Sequence, residues 1–410
     1  MNASDKPAID GGAPIRDVAQ KPWPAWPIYD TEDERALLNV LHSGKWWSVE
    51  GDQGSSFERE FAAFHDAEYG IACTNGTAAL EIALRALGIG CGDEVIVPPY
   101  TFVATASAVL SVGATPVFVD IEGDTLNINP ALIEEAITPR TRALIPVHIA
   151  GRPVDMDAIR TIAGVHELKV IEDAAQAHAA EWKGQKVGAI GDIGTFSFQA
   201  SKNLNAGEGG ILISNNEELA DAAWSVANVG RVRSGRWYEH RVLGGNFRLT
   251  EFQSALLRVQ LRRLPEQTSL RAENAKGLRT LMEKIPGIAL PSLDDRITCH
   301  ANHLFPFRYI AEAFGNRPLK EFIAGLNAEG VPCSSGYVPL YKEGLFARQA
   351  ARSGAWCQAG RRIPYPDLHL PVCEAVCADC VWMQQTLLLG PASDREDIAA
   401  AIAKLQRAWG

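Results

Sequence analysis

Lys202 stands in the run Phe196-Ser197-Phe198-Gln199-Ala200-Ser201-Lys202-Asn203, ahead of glycines at 207, 209 and 210. A strand is predicted to end at Phe198, and the glycines let the backbone turn tightly into the next strand. An amine presented there among small residues can form a Schiff base with an aldehyde once it has lost its proton, which partial desolvation favours. A loop lysine on its own is more often simply solvated, but two further segments alter that reading. Val170-Ile171-Glu172-Asp173-Ala174-Ala175-Gln176-Ala177-His178 reads as a buried strand that delivers the carboxylate of Asp173 at its carboxyl end, where open α/β sheets bind ligands. Such a carboxylate calls for a cationic partner. In Thr74-Asn75-Gly76-Thr77-Ala78 a strand stops and a helix starts at a Gly-Thr pair. The free N–H groups and the positive end of the helix dipole suit a phosphate.

Positioning three such groups needs a sheet, and the sequence predicts one. Short β-branched runs at Gly70 to Thr74, Glu94 to Val97, Thr115 to Val119, Ala143 to Val147, Lys169 to Glu172, Gly194 to Phe198 and Gly210 to Ser214 alternate with helical stretches. One such stretch is Thr77 to Leu87, and two more helices, Glu32 to His42 and Ser56 to His65, are expected before the first strand. The expected fold class is α/β, with a mainly parallel seven-stranded sheet between helices and a smaller α+β domain behind it. A long segment from Thr250 to Lys284 contains Pro265, where a kink or break is expected. The smaller domain should hold a strand at Leu304 to Ile310 and helices at Pro318 to Glu329 and Arg395 to Trp409. The division is therefore an extended arm over 1–30, a large domain over 31–265 and a small domain over 266–410. A chain of 410 residues is long enough for two cores.

Composition narrows the partners. Lys and Arg total 39 against 49 Asp and Glu, a formal charge of -10, with no basic run interleaved with aromatics, so nucleic acid is a poor partner. No apolar stretch approaches the roughly 20 residues of a membrane helix, and no apolar leader is evident near Met1, so a cytoplasmic protein is expected. The eight cysteines lack the spacing of a disulfide framework, and reduced thiols are expected. Cys373, Cys377 and Cys380, with Cys357 as a fourth, could be read as metal ligands. Helical spacing on one buried face without a paired knuckle favours no metal. The glycines of Gly88-Ile89-Gly90-Cys91-Gly92 follow a helix and precede a strand, the reverse of a dinucleotide turn.

An anion cradle, an acid for a buried cation and an imine-forming lysine together suit pyridoxal 5'-phosphate. From Gly11-Gly12-Ala13-Pro14-Ile15-Arg16 to the Trp382 segment, the chain resembles the DegT/DnrJ/EryC1/StrS sugar aminotransferases, pyridoxal-phosphate enzymes of fold type I. The resemblance implies that Lys202 carries the cofactor and that Asp173 pairs with its pyridinium nitrogen. It places the phosphate on Gly76, Thr77 and Ser197, stacks Phe102 on the ring and sets Gln176 near the phenolic oxygen. Asn246, in Gly244-Gly245-Asn246-Phe247, would reach the phosphate bound by a neighbouring subunit, which implies a homodimer with shared active sites. Read singly, Phe102 is equally a core residue, Thr77 a helix cap, Asn246 a turn residue and His148 a satisfied core histidine.

Ser43-Gly44-Lys45-Trp46-Trp47 and Asp379-Cys380-Val381-Trp382 look like the branch of 3-amino-5-hydroxybenzoate synthases and aminocyclitol aminotransferases. Trp46 and Trp47 either line the acceptor pocket or staple the arm to the core. Gln199-Ala200-Ser201-Lys202-Asn203 departs from the benzoate synthases and favours a keto-sugar or keto-cyclitol acceptor, while Gln384-Gln385 stands where that branch often has histidines. The polar stretch Asn228 to His240 and Tyr337 are further candidates for acceptor contacts. The implied activity is amino transfer from L-glutamate or L-glutamine to a hydroxylated ketone, with pyridoxamine 5'-phosphate as the intermediate cofactor form. The rivals are an aromatising dehydratase, a catalytically silent cofactor-binding regulator, and a nucleotide-dependent oxidoreductase suggested by the α/β pattern alone.

Overall fold

The computed structural model describes residues 6–348 and 363–410. In chain order its first strands are β1 (Tyr69–Cys73), β2 (Glu94–Val97), β3 (Thr115–Phe118), β4 (Thr141–Leu144) and β5 (Lys169–Asp173). A short ribbon, β6 (Glu181–Trp182) and β7 (Gln185–Lys186), precedes β8 (Ile193–Ser197) and β9 (Gly210–Ser214). The main sheet has the order β1-β9-β8-β5-β4-β2-β3, parallel from β8 through to β3, with β9 running opposite to both neighbours. Val95, Ile96 and Val97, like Ile211, Leu212 and Ile213, are buried throughout, as central strands covered on both faces require.

The covering helices are α1 (Thr31–Ser43), α2 (Gln53–Phe64), α3 (Gly76–Ala86), α4 (Ala104–Ser111), α5 (Ile133–Ala136), α6 (Met156–Val165) and α7 (Glu217–Ala227). Next comes α8 (Glu251–Met282), which runs unbroken through Pro265. Of the kink or break expected at Pro265, the break is thereby excluded. A proline in a helix interior costs about 3 kcal/mol, whereas each buried leucine contributes roughly 1.5–3 kcal/mol. Leu257, Leu261 and Leu264 bury in the first core, and Leu278 and Met282 in the second, so packing on both sides of the proline outweighs it.

Beyond α8, β10 (Ile288–Ala289) opens the second sheet, while β11 (Ile297–Cys299) joins the β6-β7 ribbon. With β12 (Leu304–Tyr309), β13 (Ser334–Ser335) and β14 (Cys380–Gln384), the second sheet has the order β10-β12-β14-β13. Its helices are α9 (Leu319–Ala328), α10 (Pro371–Asp379) and α11 (Ala392–Trp409). Tyr341, Phe346 and Tyr365 return to the first core although they follow strands of the second.

The arm is pinned by buried charge. Arg16 pairs with Asp394 at 2.7 Å and Asp397 at 2.9 Å, and its guanidinium stacks on Trp23. Cys373 and Cys377 lie on α10 with their sulfurs 3.8 Å apart, but Cys380 begins β14, so the three do not share one helical face. Cys357 lies outside the described residues, and among those described no cluster of His, Cys, Asp or Glu is arranged to hold a metal. Cys91, in the exposed turn after α3, is disulfide-bonded, which corrects the expectation of reduced thiols at this accessible position. No described helix is long and apolar enough to cross a membrane.

Candidate active site

The carboxyl ends of β5 and β8 bring the predicted groups to one edge of the sheet. Asp173 pairs with Thr195, and Ser197 at the end of β8 pairs with Gly210, which also pairs with Cys73. Two side-chain networks set this register. Glu172, fully buried, accepts from the backbone N–H groups of Gly188, Ile190 and Gly191 and so fixes the turn that feeds β8. The Val154 N–H donates to His148 Nδ1 at 3.1 Å, which leaves the ring proton on Nε2, donated to Glu172 at 3.0 Å. His148 is therefore a satisfied core histidine.

Asp173 is 5% exposed. Thr105 Oγ1 donates to its Oδ2 at 2.8 Å, and the Ala175 N–H donates to Oδ1 at 3.2 Å. Thr101 lies 2.9 Å from Thr105, and with the Thr105 proton directed at Asp173, Thr101 is the donor of that contact. Burial raises the pKa of Asp173, opposed by these hydrogen bonds and by the charge of Lys202. Burial lowers the pKa of Lys202 to about 8, opposed by Asp173. A poorly solvated amine and a poorly solvated carboxylate thus lie within electrostatic reach of one another, each favouring the other's charged form.

The Lys202 loop is held from both sides. Trp26 of the arm donates its indole N–H to the Ala200 carbonyl at 2.8 Å. Asn203 donates to the Ala301 carbonyl at 2.7 Å and meets His303 Nδ1 at 3.1 Å. Arg271 of α8, fully buried, lies over Trp26 and donates through Nε to Gln385 Oε1 at 2.7 Å. Gln385 is thus engaged by Arg271, while Gln384 is an exposed residue paired with Leu304.

At the start of α3 the Asn75 side chain, not Thr77, is the cap, accepting from the Ala78 N–H at 2.8 Å. The N–H groups of Gly76 and Thr77 have no protein acceptor among the described residues. A Cβ on Gly76 would lie 2.8 Å from the Cβ of Ser197, and one on Gly210 would collide with the Asn75 carbonyl. This is a close backbone cradle with two free donors and the Ser197 hydroxyl at its rim. Phe102, at the entry to α4, is 57% exposed and lies in the turn that carries Thr101 and Thr105. Gln176 accepts from the Ala150 N–H at 2.7 Å and donates to the Tyr337 hydroxyl at 3.0 Å, which ties the site to the second sheet.

Asn246 is exposed, in an isolated bridge with Asn228, while the next residue's carbonyl accepts from the Thr74 N–H. The stretch Asn228 to His240 forms an outer loop in which Arg231 bridges His240 and stacks on Trp237. Trp47 meets the same Trp237 ring edge-on, and Trp46 packs on Phe252. Thr105, Trp26, Asn203 and Arg271 escaped the sequence reading. The Thr101/Thr105 spacing of four was the one available signal, but it looks like any helix start.

An exposed aromatic ring, a backbone cradle with free N–H donors, and an amine and a carboxylate at the carboxyl ends of the strands fit pyridoxal 5'-phosphate, and the fold is that of the type I pyridoxal-phosphate aminotransferases. Residues 27–382 match the DegT/DnrJ/EryC1/StrS aminotransferase family, and the chain belongs to that family, whose members are pyridoxal-phosphate-dependent. It is 39% identical to the L-glutamine:2-deoxy-scyllo-inosose aminotransferase of Streptoalloteichus tenebrarius, over 98% of each chain. It is also 37% identical to the 3-amino-5-hydroxybenzoate synthase of Amycolatopsis mediterranei, over 93% of this chain and 96% of that one. A crystal structure of 3-amino-5-hydroxybenzoic acid synthase superposes with a TM-score of 0.86 at 35% identity, covering 96% of this chain and 99% of that one.

Proposed function

We propose that this aminotransferase moves an amino group from L-glutamine or L-glutamate to the carbonyl of a polyhydroxylated keto-cyclitol or keto-sugar. The observation that carries the reading is the Lys202–Asp173 pair beside the free N–H groups of α3. Lys202 would hold the cofactor covalently through Nζ. Asp173, oriented by Thr105, would keep the ring nitrogen protonated, and Gly76, Thr77 and Ser197 would hold the phosphate. Phe102 would cover one ring face, and Gln176 would sit by the phenolic oxygen. The bound cofactor supplies an electron sink for negative charge at the donor's α-carbon. Lys202, with its pKa lowered to about 8, can take a proton from that carbon and return it to another near neutral pH.

The reading includes a homodimer in the cytoplasm, divided into the arm over 1–30, the large domain over 31–265 and the small domain over 266–410. Trp237, Tyr238 and Leu243 are exposed within one outer loop, and Trp47 meets Trp237 edge-on, apolar exposure that supports association. Asn246 and the Asn228 to His240 loop would then serve the partner's site. Amino transfer is preferred to aromatisation because relatives matched over nearly the whole chain include several inosose aminotransferases. The test is a screen of keto-cyclitols, including 2-deoxy-scyllo-inosose, and nucleotide-linked keto-sugars with each donor. Aminated cyclitol or sugar supports the reading, and an aromatic amine as the main product from an aminocyclohexenone contradicts it.

A further inference from the structure

A cavity of about 360 Å³ lies between the turn that carries Ile149 and Ala150 and the start of β12 in the second sheet. That size is at the lower end of small-molecule sites, roughly 300–1,000 Å³. Leu126 and Ile149, of a small third apolar cluster that includes Tyr100 and Cys373, line it together with Leu290 and Phe305 of the second core, and the walls are mainly apolar. The charged groups on it are Arg152, Lys276 and Arg279, and no carboxylate lines it among the described residues. In a chain of net charge -10 this is a local reversal.

Arg152 is 7% exposed and uses Nη1 on the Ser292 carbonyl at 2.7 Å. Asp294, Asp124 and Glu122 act on it only from outside the cavity lining, whereas Arg279 has its own partner in Glu283. His300, held neutral by burial, contributes no positive charge. A largely buried guanidinium that lines an apolar chamber, with Nη1 alone in a described hydrogen bond, suits an anionic head on an apolar body. The backbone adds an independent sign. Leu126, Ala150 and Asn302, all on the lining, have φ of 66°, 58° and 50°, conformations that side chains other than glycine rarely adopt and that collect at ligand sites.

We propose that this interdomain cavity is a binding site for a small monocarboxylate with an apolar body, its carboxylate on Arg152 and its chain against Leu126, Ile149 and Phe305. The Ala150 N–H that holds Gln176 lies in its wall, so the site borders the cofactor's surroundings without sharing the residues assigned to them.

The test is calorimetric titration of the holoenzyme with octanoate and, as an uncharged control, octanamide. Saturable binding of one octanoate per chain is expected, with octanamide at least tenfold weaker. Arg152→Met should weaken octanoate at least tenfold, and Arg152→Lys should weaken it less. If Arg152→Met does not fold, Ala272→Trp fills the chamber from the exposed side of α8 and should abolish binding. No saturable binding, equal affinity for octanamide, or octanoate affinity unchanged in Arg152→Met or Ala272→Trp would overturn the proposal.

Discussion

The carboxylate of Asp173 matters through what it faces. Thr105, the Ala175 N–H and the Lys202 charge offset its desolvation in the protein, and a protonated ring nitrogen would add to them. Asp173→Asn keeps the shape and removes the charge, so turnover should fall about 10²–10³-fold, the usual effect of deleting one aligned electrostatic stabiliser. Steady-state kinetics with saturating cofactor checks this, and activity within a few-fold of the parent would count against the role. Lys202 makes a pH prediction. Its pKa is lowered to about 8 from 10.5, so the fold binds this proton more weakly than the unfolded chain does. The penalty to apoprotein stability is full below about pH 8 and fades as pH rises toward 10.5. The rate at which apoprotein takes up pyridoxal 5'-phosphate should therefore climb with the free amine and level off above pH 8, whereas a climb continuing past pH 10 would show an ordinary lysine. As candidates, Asp173 was legible in the sequence because it ends a strand, Gly76 because it opens the helix after one, and Lys202 because it stands in the loop between two strands. Thr105 was not, since its partner is distant in sequence and only the folded sheet brings them together.

At the scale of elements, the site depends on how closely α3 approaches β8. Gly76 has no room for a methyl group against Ser197, and Gly210 lets the Asn75 backbone pass. Gly76→Ala should push the first turn of α3 away from the cradle. Overpacking of this kind costs roughly 1–3 kcal/mol, so cofactor affinity should drop about ten- to a hundredfold in an absorbance titration. Unchanged affinity would show that the phosphate lies elsewhere. Most strands of the main sheet could be read from apolar runs within a residue, with Glu94–Val97 and Gly210–Ser214 as expected, but the strand expected at Ala143 to Val147 lies at Thr141–Leu144. What local pattern could not supply was context. Pro265 reads as a helix breaker until two cores are seen to grip α8 on either side of it, and Cys380 reads as helical until β14 claims it.

For the whole molecule, the exposed aromatic surface around Trp237 and the outward-facing Asn246 set the expectation of shared sites. If Asn246 serves its partner, Asn246→Asp and Lys202→Ala chains, each nearly inactive alone, should complement when dissociated and reassociated. Random pairing makes half the dimers mixed, and each mixed dimer regains one site of its two, so about a quarter of parental activity should return. No recovery above the two variants alone would mean that each chain builds its site unaided. Sequence reading reached the main sheet and one strand of the second, but not the rest of the second sheet, nor the arm's hold on the Lys202 loop, because the Trp26 to Ala200 contact spans the fold. All of these roles presuppose one covalent attachment. Borohydride reduction of the purified holoenzyme, followed by peptide mapping, tests it most directly. A single pyridoxyl group on the peptide containing Lys202 is the expected result; a label on another residue, or no label on protein saturated with cofactor, would contradict it.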